Sequence, residues 1–397
     1  MNHQLCRHAL FLALLSLLQG CMIDNVVVTL PEQEPSPYFR SVTHAKQFDR
    51  STLISQLGGD FEENIIALLP DRKIKVDAIT YRSQQPNGSE VEASGIIAYP
   101  ESGEIRGVVV GQHYTYTANW EVPTSTMATI ETALALFGYA VIVPDYIGFG
   151  STRELPHPYL SAENTGRVTV DMVFAAREYL ATKDISLDQP LYVVGYSQGG
   201  HSALAFAKMV ESRYSEEISL KKVFAGGGPY DLPALFDKMV VDDYSYYPCS
   251  VPMTVLGLSY GDVAYFDLSQ LFQEKLLANY KNWYYSKEYS TGQLNKLIGT
   301  TKISNFMHAN LFVNQPSDEV AKLYKSLCRN SVIDWTPRVP IHLVHGEEDL
   351  NVDFVCAQNA YDSFKARGCN VKLDRVKLDH YDTAISFFLV VLFEIGL

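Results

Sequence analysis

The chain has 397 residues, of which 47% are hydrophobic, 12% aromatic and only 19% charged, the composition of a packed globular protein and not of a disordered one. That length holds one large α/β domain with insertions, or two ordinary domains. A net charge of −13 argues against nucleic acid as a partner, because a phosphate backbone rewards Lys and Arg.

Residues 1–20 read as a targeting segment and are kept out of the fold. Arg7 and the amino terminus give a positive start, and Ala9–Leu18 is an apolar run broken only by Ser16. The run is about half the ~20 residues that a spanning helix needs. Leu18-Gln19-Gly20-Cys21 resembles the bacterial lipobox, which makes Cys21 the candidate for lipidation and the chain a candidate exported, membrane-anchored lipoprotein. Residues 21–45, with Pro31, Pro35 and Pro37, read as an extended tether, and the folded domain is expected over 46–397.

Ile74–Arg82 and Glu90–Tyr99 alternate apolar and polar around Asn87-Gly88, a hairpin pattern. Ile105–Gly111 is a continuous apolar run, as in a strand buried on both faces. The spacing predicts a helix over Thr126–Phe137, closed by Gly138, then a buried strand over Tyr139–Pro144 and a helix over 161–182. Leu191–Gly195 is a third buried strand, followed directly by a helix over Gln198–Glu211, and Val223–Gly226 is a short strand. Ile341–His345, a helix over 353–366, a strand over 371–378 and a helix over 381–393 complete the pattern. A hairpin followed by alternating strands and helices implies a mostly parallel sheet with helices on both faces and antiparallel strands at its start.

The chemistry sits at the carboxyl ends of these strands, where open α/β sheets bind ligands. Gly195-Tyr196-Ser197-Gln198-Gly199 fits G-x-S-x-G between a strand and a helix, the setting in which a tight turn lifts a serine hydroxyl above the sheet. The turn leaves no room for side chains at 195 and 199, and it aims the Gln198 N–H and a helix N-terminus at the same spot. Such a serine needs a base, and the base needs an orienter. His380, at the end of the last strand, is the predicted base. Asp349, in His345-Gly346-Glu347-Glu348-Asp349 after the preceding strand, is the predicted orienter, with Glu348 and Asp353 as competitors. His201, His342 and His345 read as structural.

These residues resemble the α/β-hydrolase superfamily, in the order Ser197, Asp349, His380. Pro144-Asp145-Tyr146-Ile147-Gly148-Phe149-Gly150-Ser151, His157-Pro158-Tyr159-Leu160 and Gly228-Pro229-Tyr230-Asp231-Leu232 make the chain similar to secretory-lipase-like bacterial esterases from about residue 70 to the end. The resemblance implies a serine esterase or lipase working through an acyl-enzyme on a small-molecule or lipid ester. Its oxyanion hole would be built from Gln198 and a residue after the strand that ends at Gln112. There Tyr114 stands where Gly is usual, so that Thr115 is the carried-over donor and Tyr114 the competitor; His113 reads as a packed strand-end residue.

Roughly a hundred residues, about 229–335, remain between the post-elbow elements and Asp349. They hold 11 Tyr, 5 Phe and 1 Trp over 230–330 and read as a mostly helical cap, with aromatics such as Trp283 and Tyr285 lining an acyl pocket. Cys249, Cys328, Cys356 and Cys369 allow three pairings, of which Cys249–Cys328 is favoured, since a straight helix would hold Cys356 and Cys369 too far apart. No HExxH, CxxC or phosphate-binding glycine loop points to a metal or cofactor. The alternatives are a serine peptidase on the same fold and a non-catalytic binding lipoprotein.

Overall fold

The computed structural model describes residues 38–58, 63–313 and 315–396. The targeting segment 1–20, Cys21 and tether residues 22–37 lie outside them. The chain enters the sheet as β1 (Phe39–Phe48) and turns through helices α1 (Arg50–Leu57) and α2 (Glu63–Leu68). Hairpin β2 (Ile74–Gln84) and β3 (Glu90–Pro100) follows. Its turn closes with the Gly88 N–H donating to Gln85 O at 2.9 Å and the Ser89 N–H to Asn87 Oδ1 at 2.9 Å, with Gly88 at φ +85°, a conformation that glycine takes without strain.

The predicted tether overlaps β1. The domain starts seven residues earlier than expected, because residues 40–47 are exposed along an edge strand and carry no apolar alternation to mark them. The strand pairs antiparallel with β2 from Phe39 to Phe48.

Next come β4 (Gly107–Gln112), β5 (Tyr139–Pro144), α3 (Ala162–Ala181), β6 (Leu191–Tyr196), α4 (Gln198–Arg213) and β7 (Leu220–Gly226). The helix predicted over 126–137 is interrupted. A single turn at Pro123–Thr126 ends with Met127 in the left-handed region, φ 59°, and a 3-10 helix over Ile130–Phe137 follows, closed by Gly138 at φ 97°. Thr126 Oγ1 donates to Ala128 O at 2.8 Å, a local bond that stabilises the break.

Helices α5 (Leu232–Asp242), α6 (Ser250–Gly261), α7 (Glu274–Tyr280), α8 (Thr291–Ile298) and α9 (Asp318–Asn330) fill the predicted cap region, with two isolated bridges and no longer strand among its described residues. The chain then returns to the sheet through β8 (Ile341–Gly346), α10 (Val355–Ala366), β9 (Val371–Val376) and α11 (His380–Val391).

The nine strands lie in the order β1-β2-β3-β5-β4-β6-β7-β8-β9. The first three are antiparallel, β3 meets β5 antiparallel, and the remaining pairs are parallel. Two cores cover the two faces. Val108, Val110 and Val193 pack with Val173 of α3, Leu204 of α4 and Phe364 of α10. Their neighbours Val109 and Val194 point the other way, onto Leu53 of α1, Leu134 and Leu136 of the 3-10 helix, and Phe387 of α11. This two-sided burial explains why those strands read as unbroken apolar runs.

The cap has its own core, including Phe236, Leu256, Leu271, Trp283, Leu294 and Leu327. Among the described residues no helix is long and apolar enough to cross a membrane.

The predicted Cys249–Cys328 bridge is not formed. All four of these cysteines are free thiols, with Cys249, Cys356 and Cys369 buried. Cys249 lies in the cap core, whereas Cys328 faces outward from α9, so the two side chains point into different environments.

Candidate active site

Ser197 closes β6 and caps α4 at φ 58°, ψ −123°, a strained conformation for a residue with a side chain. Its own N–H donates to Gly226 O on β7 at 2.8 Å, which fixes the turn. A Cβ on Gly195 would meet the Gly199 carbonyl oxygen, and one on Gly199 the Gln112 carbonyl oxygen, both far inside van der Waals contact. The two glycines therefore let β4, β6 and α4 approach closely enough to make the elbow.

His380 is the first residue of α11, a helix capped by Asp379, whose side chain accepts from the Tyr381 and Asp382 N–H groups. Its Nε2 lies 3.0 Å from Ser197 Oγ and its Nδ1 2.6 Å from Asp349 Oδ2. The carboxylate can only accept there, so Nδ1 carries the proton and Nε2 faces the serine hydroxyl as an acceptor. The Tyr196 hydroxyl donates to the His380 carbonyl at 2.5 Å, and the two rings lie 5.1 Å apart.

Asp349 is buried, and its Oδ1 accepts the Asn351 and Val352 N–H groups, each at 2.9 Å. Its competitors are elsewhere. Glu348 is exposed, and Asp353 accepts from Val355 N at the start of α10. His345 backs the loop, with Nε2 donating to Val352 O at 2.9 Å, and burial lowers its pKa. His342 is fully buried, its two nitrogens each 2.7 Å from Asp374 and Glu394, and His201 Nε2 donates to Asn330 O at 2.8 Å. All three of these histidines are engaged away from Ser197.

A cavity of about 330 Å³ opens over the serine, lined by Tyr114, Thr115, Gln198 and His380 from the sheet edge, and by Leu235, Met239, Tyr247 and Thr254 from the cap. Of the cap aromatics, Tyr247 lines this cavity as expected, and Trp283 and Tyr285 do not. Trp283 is buried in the cap core, and Tyr285 lies away from this cavity, beside Lys287 and Phe149. Leu235, Met239 and Thr254 face the cavity beside Tyr247, while Trp283 packs within the cap core, where a large ring has more to gain.

His113, as expected, is a packed strand-end residue. Its Nδ1 donates to Tyr114 O at 2.6 Å, and burial pushes its pKa down to about 4. The peptide unit is rigid and trans, so a Tyr114 carbonyl turned to this ring sends the Thr115 N–H the opposite way.

The sequence marks His157 only as part of a segment shared with the family and gives it no role at the site. Its Nδ1 donates to Ile147 O at 2.7 Å, and its Nε2 accepts from Gln198 Nε2 at 3.3 Å. Burial holds its pKa at about 3, so the ring stays neutral and steadies the side chain of the residue after Ser197. Forty-one positions separate the two partners, and no local signal links them.

A family model described as secretory lipase matches residues 121–386, two thirds of the chain and every element from the start of the Pro123 turn into α11. The chain belongs to the secretory lipase family. Among curated secretory-lipase relatives, the secreted triacylglycerol lipase LIP3 of Malassezia globosa is 25% identical over 263 residues, which are 65% of this chain and 55% of the relative. A second, LIP4 of the same organism, is 24% identical over 259 residues, 63% of this chain and 52% of the relative. The chain thus spans about half the length of the curated relatives it matches.

Among solved structures, the rice cell wall degrading esterase LipA from Xanthomonas oryzae superposes with a TM-score of 0.75 at 22% identity, covering 89% of this chain and 98% of that one. Candida antarctica lipase A in its closed state superposes at 0.65 with 15% identity, covering 91% and 84%. At these identities the likeness is one of fold, and it gives this member of the secretory lipase family the α/β-hydrolase fold.

Proposed function

We propose that this chain hydrolyses carboxylic esters through an acyl-enzyme on Ser197, with His380 as general base and Asp349 as its orienter. The observation that carries the reading is the continuous line Ser197 Oγ, His380 Nε2, His380 Nδ1, Asp349 Oδ2, at 3.0 and 2.6 Å. Ser197 Oγ attacks the ester carbonyl while its proton passes to His380 Nε2. Asp349 keeps the imidazole in the tautomer that can take it and stabilises the imidazolium. The carbonyl oxygen gains charge facing the Gln198 N–H at the α4 N-terminus and the Thr115 N–H, the oxyanion donors of this reading. His380 then protonates the departing alkoxide, and a water, activated by the same imidazole, releases the acid.

Family membership and the secreted triacylglycerol lipase relatives support an ester as substrate. A panel of p-nitrophenyl esters of increasing chain length, run beside peptide substrates, tests this. Ester turnover without peptide cleavage is expected, and the reverse would move the chain to the peptidases.

The secreted relatives also support export, and Leu18–Cys21 supports a lipid anchor at Cys21 in a bacterial envelope. Cys21→Ser should release the protein from membranes or block its processing. Mass spectrometry of the mature chain reads the cleavage, and an intact Met1 on the exported protein would contradict the anchor.

A further inference from the structure

A second cavity, of about 450 Å³, lies beside the one over Ser197 and is the larger of the two. Tyr114, Glu121, Tyr196 and Ala384 line both, so a wall of four residues, one of them adjacent to Ser197 in the chain, stands between them. Its far side is apolar, with Leu57 of α1, Ala133 of the 3-10 helix and Phe388 of α11. Close-packed interiors hold few voids larger than a water, and a concavity of this volume is the size of a ligand site.

Two carboxyls stand in this lining, Glu121 on the shared wall and Glu131 beyond it. Glu131 is 3% exposed, and its Oε2 has no hydrogen-bond partner among the described residues. Burial raises its pKa to about 7, so near neutral pH much of it is an uncharged acid, able to donate as well as accept. A buried polar group that one ligand satisfies and another leaves unpaired is what makes a site discriminate.

Resting on the reading of Ser197 as nucleophile, we propose that the second cavity holds a long alkyl chain of the ester cleaved at Ser197, and that Glu131 meets a hydroxyl carried on that chain. To enter the second cavity from the reacting carbonyl, the chain has to pass between the side chains that both cavities share, Tyr114, Glu121, Tyr196 and Ala384. The acid and the alcohol halves of an ester can both supply such a chain, and the test separates them.

The test measures kcat/KM for two series: methyl esters from butanoate to octadecanoate, and acetates from butyl to octadecyl. Each long chain is supplied plain and hydroxylated at successive positions. In the wild type one hydroxylated chain should exceed its plain counterpart about tenfold, and Glu131→Leu should remove that preference. Ala133→Phe should lower the long-to-short ratio about tenfold in one series, which identifies the half of the ester that enters.

Unchanged ratios in an Ala133→Phe protein with wild-type circular dichroism overturn the proposal. Equal rates on plain and hydroxylated chains overturn the part given to Glu131. If Ala133→Phe does not fold, Leu57→Trp at the half-buried far wall repeats the measurement. A wild type inactive on every ester defeats the Ser197 reading instead. The cavity is then judged by equilibrium binding of hexadecanol and hexadecanoate, which is saturable and weakened by Ala133→Phe if the proposal holds. Absence of such binding overturns it, and a concentration-dependent dimer in sedimentation would assign the cavity to a second copy.

Discussion

His380 Nε2 lies 3.0 Å from Ser197 Oγ although 183 positions separate them. They meet because β6 and β9 run parallel in one sheet, and the residues just past their carboxyl ends emerge at the same edge. Asp349, from the end of β8 between them, reaches the same imidazole from its other side.

Asp349→Ala should lower kcat by about 10⁴, the scale seen when the orienting acid of such a unit is removed. Glu348→Ala and Asp353→Ala should leave kcat within about twofold, because neither carboxylate touches His380. Steady-state kinetics on one p-nitrophenyl ester compares all three. A large loss in Glu348→Ala or Asp353→Ala would reassign the acid.

Gly195→Ala and Gly199→Ala should each destabilise the fold by about 3 kcal/mol, near the upper end for overpacking, since the added methyl meets backbone carbonyls that cannot rotate away. Denaturant midpoints measure this. Wild-type stability in either variant would mean the elbow is looser than described.

Glu131→Gln should change the pH dependence of stability. Burial raises this carboxyl from an ordinary 4.5 to about 7, so between those values the folded chain holds a proton that the unfolded chain has lost. Stability therefore falls as pH rises through that window, by on the order of 3 kcal/mol once above it. Tyr114, Tyr116 and Tyr146 beside it are pushed up by burial and stay neutral throughout. The variant should gain on the wild type at about pH 8 and lose that gain toward about pH 5. A pH-independent difference in denaturant midpoint would show that Glu131 does not titrate in the window.

Trp283→Ala should cost about 3–5 kcal/mol, as for a large ring removed from a core, and leave the ranking of esters by chain length as it was, because Trp283 packs within the cap. Met239→Ala, at the cavity over Ser197, should change that ranking by about tenfold. Melting temperatures and a chain-length series together separate the two roles, and a changed ranking in Trp283→Ala would restore this ring to the substrate pocket.

What could be read from the sequence was what local pattern encodes. The continuous apolar runs of β4, β5 and β6 mark strands buried on both faces, and the glycines around Ser197 mark a turn that only glycine permits. Ser197, Asp349 and His380, which the fold brings together, are legible because each lies just past the end of a strand. The edge strand β1 was read as tether because an exposed strand has no apolar face to alternate. The break at Met127 was missed because one left-handed residue leaves no trace in periodicity. Pairing Cys249 with Cys328 failed because counting cysteines says nothing of which way they point. The contact of His157 with Gln198, and the sorting of cap aromatics into core and pocket, depend on packing between distant segments, which spacing along the chain does not carry.

In the proposed reaction Ser197 is the nucleophile. The most direct measurement is mass spectrometry of the intact protein and its peptides after treatment with a fluorophosphonate. One adduct per chain, located on Ser197, absent in Ser197→Ala and formed far more slowly in His380→Ala, is the predicted result. An adduct on another residue, or a Ser197→Ala protein that keeps more than a few per cent of wild-type ester hydrolysis when about one part in 10⁶ is expected, would contradict it.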